Sequence, residues 1–113
     1  MHELSITQSI LEIVLDKAKA VEAKEITRID LVIGDLTGIV EDSVRFYFEL
    51  LAKDTVAAGA TLSVEKIRTG LRCRDCAVTF SPDSELWSCP HCQGQSLEII
   101  GGRECHVKSI EVN

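Results

Sequence analysis

A chain of 113 residues with 45% hydrophobic content has room for one modest core plus a small appendage. Only 4% of the residues are aromatic, so Leu, Ile, Val and Ala must build that core. A net charge of −6 at pH 7 argues against nucleic acid and anionic membrane as partners, because both require a positive field.

The first residues, Met1-His2-Glu3, precede any regular pattern. Ser5-Ile6-Thr7-Gln8 has capping-box spacing, a hydroxyl residue with Gln three positions later. Behind it Ile6, Ile10, Ile13, Val14, Ala18 and Val21 recur at helical spacing, while Glu12, Asp16, Lys17 and Lys19 fall mostly on the opposite side. This predicts an amphipathic first helix whose apolar stripe is core. Ile26 to Ile33 alternates Ile29, Leu31 and Ile33 with Arg28 and Asp30, then breaks at Gly34-Asp35: a strand with one buried face. Leu36 to Val40 is a connector. Glu41-Asp42 places negative charge where a helix dipole favours it, at the start of a second helix expected over 42–56. Val44, Phe48, Leu51 and Thr55 line one side, and this helix is expected to be the most buried element. Ala58-Gly59 ends it, Thr61 to Arg68 alternates as a second strand, and Gly70 leads into the cysteines.

Cys73-Arg-Asp-Cys76 and Cys89-Pro-His-Cys92 form two CxxC pairs with twelve residues between them. Two residues between cysteines let both sulfurs turn toward one point, and two such knuckles supply four thiolates in a tetrahedron, the geometry of structural zinc. Disulfides or a redox dithiol are the rival readings. The first turns carry Glu3, Glu12 and Asp16 without the basic segment of a secretory leader, and no apolar run approaches the roughly 18 residues of a membrane span. The expected compartment is therefore the cytoplasm, where thiols stay reduced and paired cysteines more often hold metal. Four thiolates close the coordination sphere and leave no open position for zinc catalysis. Zinc would stand in for a core that some 25 residues cannot supply. The segment also lacks the basic stripe of a nucleic-acid-binding ribbon: Arg72 and Arg74 stand against Asp75, Asp83 and Glu85. His91 is either an alternative ligand or an exposed loop residue, and Trp87 is expected to pack on a knuckle.

After Cys92, Leu97 to Ile100 reads as a short strand, Gly101-Gly102 as a break and Cys105 to Val112 as a last strand. By alternation Cys105 is a small core residue and His106 is exposed, with a metal role for His106 as the alternative. The expected fold is α+β: two helices on a small mixed β-sheet, with an inserted zinc-ribbon-like module. The division is residues 1–69 plus 97–113 for the α+β domain and 70–96 for the zinc-binding domain.

His2 has a chemical consequence that histidine elsewhere lacks. The Met1 α-amine, the Met1–His2 amide nitrogen and the imidazole can chelate one metal through a five- and a six-membered ring in one plane. An amide nitrogen loses its proton only to a metal with a strong preference for planar nitrogen donors, nickel(II) or copper(II). Free amines and imidazoles in general give up their protons to a competing metal near neutral pH, so no extreme condition is needed. The fourth position is open to Glu3, water, another histidine or a partner, which suits a carrier. The alternative is a solvated N-terminus without metal.

Met1-His2-Glu3-Leu4, the first helix, the strand ending near Gly34, the helix with Phe46 and Phe48, Gly59-Ala-Thr-Leu62, the two cysteine pairs and Ser109-Ile-Glu-Val112 together resemble the HypA/HybF family over essentially the whole chain. These are nickel metallochaperones for [NiFe]-hydrogenase maturation. The resemblance implies a nickel site at Met1, His2 and Glu3, and structural zinc on Cys73, Cys76, Cys89 and Cys92. It also implies a HypB-type GTPase partner, delivery to the hydrogenase large-subunit precursor and, for some members, to urease maturation proteins. Some members carry a histidine after each CxxC that can swap onto zinc. Here Ala77 and Gln93 stand at those positions. The function implied is metal transfer, not catalysis. The competing readings are a zinc-ribbon interaction module without a second metal and a hydrolase or redox enzyme. No phosphate loop, nucleophile elbow or His-Glu-x-x-His helix supports the last.

Overall fold

A computed structural model describes residues 2–82 and 87–113. The order is α1 (Glu3–Ala20), β1 (Ile26–Gly34), a 3-10 turn (Asp35–Thr37), α2 (Glu41–Leu51), β2 (Thr61–Ile67), β3 (Gly70–Cys73), β4 (Thr79–Phe80), β5 (Leu97–Gly101) and β6 (Cys105–Val112). The strands form two three-stranded sheets. In the first, β1 is central, parallel to β2 and antiparallel to β6. In the second, β3 is central and antiparallel to both β4 and β5. The architecture is α+β with a mixed sheet under two helices and a zinc-ribbon-like cysteine unit. None of the helices described is long and apolar enough to cross a membrane.

Helix α1 starts at Glu3, two residues before the expected capping box. The Ser5 hydroxyl donates back to the His2 carbonyl at 3.0 Å, so Ser5 lies inside the first turn and caps nothing. The buried face runs through Thr7, Ile10, Val14 and Ala18. Steps of about 100° centre that face on the Thr7 direction, from which Leu11 and Leu15 stand about 40° and 80° away and reach the core, while Ile13 stands about 120° away and is 44% exposed. Val21, past the helix end, is also exposed. Buried Thr7 keeps its hydroxyl satisfied on the Glu3 carbonyl, 2.6 Å away.

The most buried element is β1, not α2. Ile26, Ile29, Leu31 and Ile33 are buried in the cluster that β1 forms with both helices, with a strand on each side of it. Val32 is buried too, outside that cluster, where a strand with only one buried face had been expected. Helix α2 buries only Val44 and Phe48, and it ends at Leu51 rather than 56. Beyond it, the Thr55 hydroxyl donates to the Ala52 carbonyl at 2.6 Å and accepts from the Ala57 N–H, which diverts the backbone into turns.

The chain leaves the first sheet after β2 and returns with β6. Leu97–Ile100, grouped with the α+β domain in the sequence reading, lies in the second sheet: Leu71 of β3 pairs with Ile99, and Cys73 with Leu97. Strand pairing therefore places the break at Gly101-Gly102. There the two sheets are joined by a close backbone crossing. The Gly34 N–H donates to the Glu104 carbonyl and the Leu36 N–H to the Gly102 carbonyl, both at 2.7 Å. A Cβ on Gly34 would stand 2.1 Å from the Gly102 oxygen, so only glycine permits the approach.

Candidate metal centre

The cysteine unit is built on two copies of one backbone turn. In the first, the Ala77 N–H donates to the Cys73 carbonyl at 2.9 Å, and the Cys73 N–H to the Val78 carbonyl at 2.9 Å. In the second, the Gln93 N–H donates to the Cys89 carbonyl at 2.8 Å, and the Cys89 N–H to the Gly94 carbonyl at 2.9 Å. The residue after each pair is left-handed, Ala77 at φ 63° and Gln93 at φ 62°. The two turns put the four sulfurs within 4.8 Å of one another. Cys73 Sγ lies 3.5 Å from Cys92 Sγ, and Cys76 Sγ 3.4 Å from Cys89 Sγ.

Four sulfurs bound at about 2.3 Å to a central ion lie roughly 3.8 Å apart in a tetrahedron, so the cluster fits a zinc-sized cation. Its electrostatics favour one. The Cys92 backbone N–H, opposed by desolvation and joined by the His91 N–H, brings the Cys89 thiol down to about 6. Both N–H groups lie 3.4 Å from its sulfur. At Cys76 the Val78 N–H pulls downward, but desolvation and the sulfurs of Cys89, Cys73 and Cys92 outweigh it and push the thiol up to about 12. Cys92 is likewise raised, the neighbouring sulfurs of Cys73 and Cys89 prevailing over the Gly94 N–H. One sulfur ionises readily and its neighbours then resist; only a central cation lets all four be thiolates together. Cys73 and Cys89 are buried, Cys76 is half-buried and Cys92 exposed. A closed four-sulfur shell offers structure, with no vacant position for a reacting molecule. Gly94 packs so closely that a Cβ there would stand 3.3 Å from Cys92 Sγ. His91 and half-buried Trp87 lie beside this unit, and His91 is exposed.

The other candidate centre lies at the start of α1. Met1 falls outside the described residues. His2 is exposed and is the N-cap of α1, with its carbonyl accepting from the Ile6 N–H at 3.0 Å. Its own N–H belongs to the set that a helix start leaves without an intrahelical acceptor. The Glu3 carboxylate accepts from the Val40 N–H at 3.2 Å, at the N-cap of α2. That bond holds the carboxyl of half-buried Glu3 below its usual value. An ionised carboxylate has about four acceptor sites, so this contact leaves Glu3 capacity for a cation. His2, Glu3, Leu4, Ser5, Gln8 and Tyr47 line one shallow depression. Tyr47 did not stand out in the sequence, because a neighbour from another helix leaves no local spacing signal.

The structure does not bring His106 or Cys105 to either centre. Both are exposed on edge strand β6, Cys105 opposite Ile33. Cys105 is therefore not the core residue that alternation predicted: it lies at the end of an outer strand, where no further strand covers it. Ala77 and Gln93 entered the sequence reading only as positions after each pair. Their shared offset of four from the first cysteine is the signal that marks them as turn residues.

Comparison with known proteins covers the same length. The family described as hydrogenase/urease nickel incorporation, metallochaperone, hypA matches residues 1–112. The hydrogenase maturation factor HypA of Dehalococcoides mccartyi strain CBDB1 is 47% identical over 113 residues, which span 100% of this chain and 95% of that one. HypA of Caldanaerobacter subterraneus subsp. tengcongensis is 40% identical, over 99% of each chain. The solution structure of the nickel metallochaperone HypA from Helicobacter pylori superposes with a TM-score of 0.68 at 26% identity, covering 99% of this chain and 97% of that one. A chain matched from end to end in sequence and in fold belongs to the HypA family of nickel-incorporation metallochaperones.

Proposed function

We propose that this chain captures nickel(II) at its own N-terminus, through the Met1 α-amine, the His2 amide nitrogen and the His2 imidazole, with Glu3 beside them. The observation that carries the reading is the position of His2 at the cap of α1. There its amide has no intrahelical acceptor and is free to lose its proton to the metal. The positive end of the helix dipole opposes a cation at this place. The amidate formed on chelation and the Glu3 carboxylate supply two negative charges against it. The planar donor set leaves room for an incoming ligand, so the cargo can leave by substitution at the open position.

Zinc is the proposed resident of the Cys73, Cys76, Cys89 and Cys92 cluster; when bound, it would offset two of the four thiolate charges and fix the two turns. Family membership supports the rest of the proposal: a HypB-type GTPase as partner, and the [NiFe]-hydrogenase large-subunit precursor as recipient in the cytoplasm. Urease maturation proteins are a second destination. The chain itself transfers metal and catalyses no reaction. Its units are residues 1–69 with the returning β6, and the cysteine unit between them, with the second boundary moved from 96 to Gly101-Gly102 to follow strand pairing.

Titration of the zinc-loaded chain with nickel, beside the same chain extended by one glycine before Met1, tests the site. The extension keeps every side chain and removes the α-amine from the chelate. Tight binding to the native chain and at least tenfold weaker binding to the extended one is expected. Equal binding would overturn the N-terminal site and move attention to His91 and His106. Absence of binding in both would favour a zinc-only interaction module.

A further inference from the structure

We propose that the outer face of α2 is a docking surface for an amphipathic helix of a partner protein, one whose apolar side chains are flanked by Lys or Arg. The motivating observation is a misplaced apolar stripe. Helix α2 buries Val44 and Phe48, yet Phe46 is 58% and Leu50 49% exposed on the side away from the core. They lie four residues apart and so share one face. Asp42 and Glu49 stand on the same face, and all four residues border shallow grooves between α2 and the 58–62 segment.

Charge selects the kind of occupant. Residues 41–54 carry four carboxylates, Glu41, Asp42, Glu49 and Asp54, against two cations, Arg45 and Lys53. Arg45 is already committed: it pairs with Glu41 at 2.9 Å and donates to the Leu62 carbonyl at 2.8 Å. Among the described residues, Asp42 and Glu49 make no ion pair, and neither does exposed Lys53, which lines the groove beside Glu49 and Leu50. Two unpaired carboxylates against one lysine therefore rim an apolar pair, and the complementary surface is apolar with a mainly cationic border. A second copy of this chain is a poorer match, because it brings the same excess of carboxylates on a molecule of net charge −6. A strand added to the neighbouring edge of β2 is also disfavoured, because Arg45 occupies the Leu62 carbonyl that the strand would use. What remains is recognition through side chains, the helix-in-groove mode.

The surface is continuous with the N-terminal depression. The Phe46 ring meets the Tyr47 ring edge-on at 5.5 Å, and Tyr47 lines the depression that contains His2 and Glu3. A helix seated on Phe46 and Leu50 would bring its protein within reach of the chain's first residues. The docking itself needs no nickel, so it stands or falls independently of the metal-transfer reading.

The test uses the full, zinc-loaded chain without nickel and two synthetic helical peptides of 18 residues. One carries leucines on one face flanked by lysines; its twin carries glutamates in place of the lysines. Amide chemical-shift changes should concentrate at residues 42–53 and 58–62 with the cationic peptide. Its affinity should exceed that of the twin by tenfold or more. Phe46→Ser should weaken it at least tenfold, and Glu49→Gln severalfold. Both side chains are exposed, so the fold should persist, as an unchanged spectrum elsewhere will show. Equal binding of both peptides, shifts centred on another face, or insensitivity to Phe46→Ser would each overturn the proposal. Self-association in sedimentation that Phe46→Ser abolishes would overturn it in favour of a second copy.

Discussion

Residues 3–67 bury Ile10, Val14, Ile29, Leu31, Ile33 and Phe48 in one continuous cluster. Among the described residues of 70–101, the buried side chains are Leu71 and the two cysteines Cys73 and Cys89. The first region is held by aliphatic burial, at about 25 cal/mol per Å² of apolar surface. The second has almost no such surface to bury, and its strands are two to five residues long. An isolated unit of that size needs a staple, and four converging sulfurs supply the place for one. The same chain thus uses two solutions to the entropy of folding, joined at a crossing of two glycines.

The sharpest way to break this comparison is to remove the metal. Chelation at neutral pH should melt residues 70–101, since structural zinc contributes an apparent ~10–16 kcal/mol to folding in small units. Amides of Val14, Ile29 and Leu31 should stay protected. Hydrogen exchange with and without chelator reads both regions at once; simultaneous loss of protection in both would show that they fold as one.

A smaller effect is expected at the joint. Gly34→Ala forces a methyl group against the Gly102 backbone, which has no flexible end to yield. It should cost on the order of 3 kcal/mol in denaturant unfolding. Because the crossing bonds β1 and the 3-10 turn to the segment after β5, the loss should fall on both regions.

The smallest expected effect is a gain within the cysteine unit. Ala77 holds a left-handed backbone that costs a non-glycine residue roughly 1–2 kcal/mol. Ala77→Gly relieves it but loosens the unfolded chain. The net should be a few tenths to about 1 kcal/mol of added stability, read from zinc affinity or the melting of that unit, with Ala77→Val moving the other way. A loss on glycine substitution would show that the turn is not strained.

Much of this was legible in the residues. The two helices and the strands β1, β2, β5 and β6 appeared in the right order and type because periods of 3.6 and 2 are local properties of a chain; β3 and β4, four and two residues long, are too short to show a period and were not read. The cysteine spacing pointed to one cluster because two-residue gaps constrain sulfurs directly. Errors arose where a residue's setting depended on distant neighbours. Ile13 was put in the stripe, and Leu11 and Leu15 were left out of it, because a helical stripe is broad and only packing fixes its centre. Leu97–Ile100 was grouped with the α+β domain, whereas it pairs with β3, because a short apolar strand does not name its partner. Cys105 was placed in the core because alternation says which side a residue faces, not whether anything covers that side.

The sequence by itself determined the class of fold, the four-sulfur cluster, the unusual chemistry open to a histidine in second position and the resemblance to its family. All of these rest on spacing along the backbone, which covalent geometry fixes. Only the tertiary structure decided that β1 rather than α2 forms the centre, that Gly34 and Gly102 cross, that the Glu3 carboxylate binds the Val40 N–H at the start of α2, and that Phe46 and Leu50 face outward beside unpaired carboxylates. These depend on which surfaces meet, and that choice is made by the burial of the whole chain at once, not by any stretch of it.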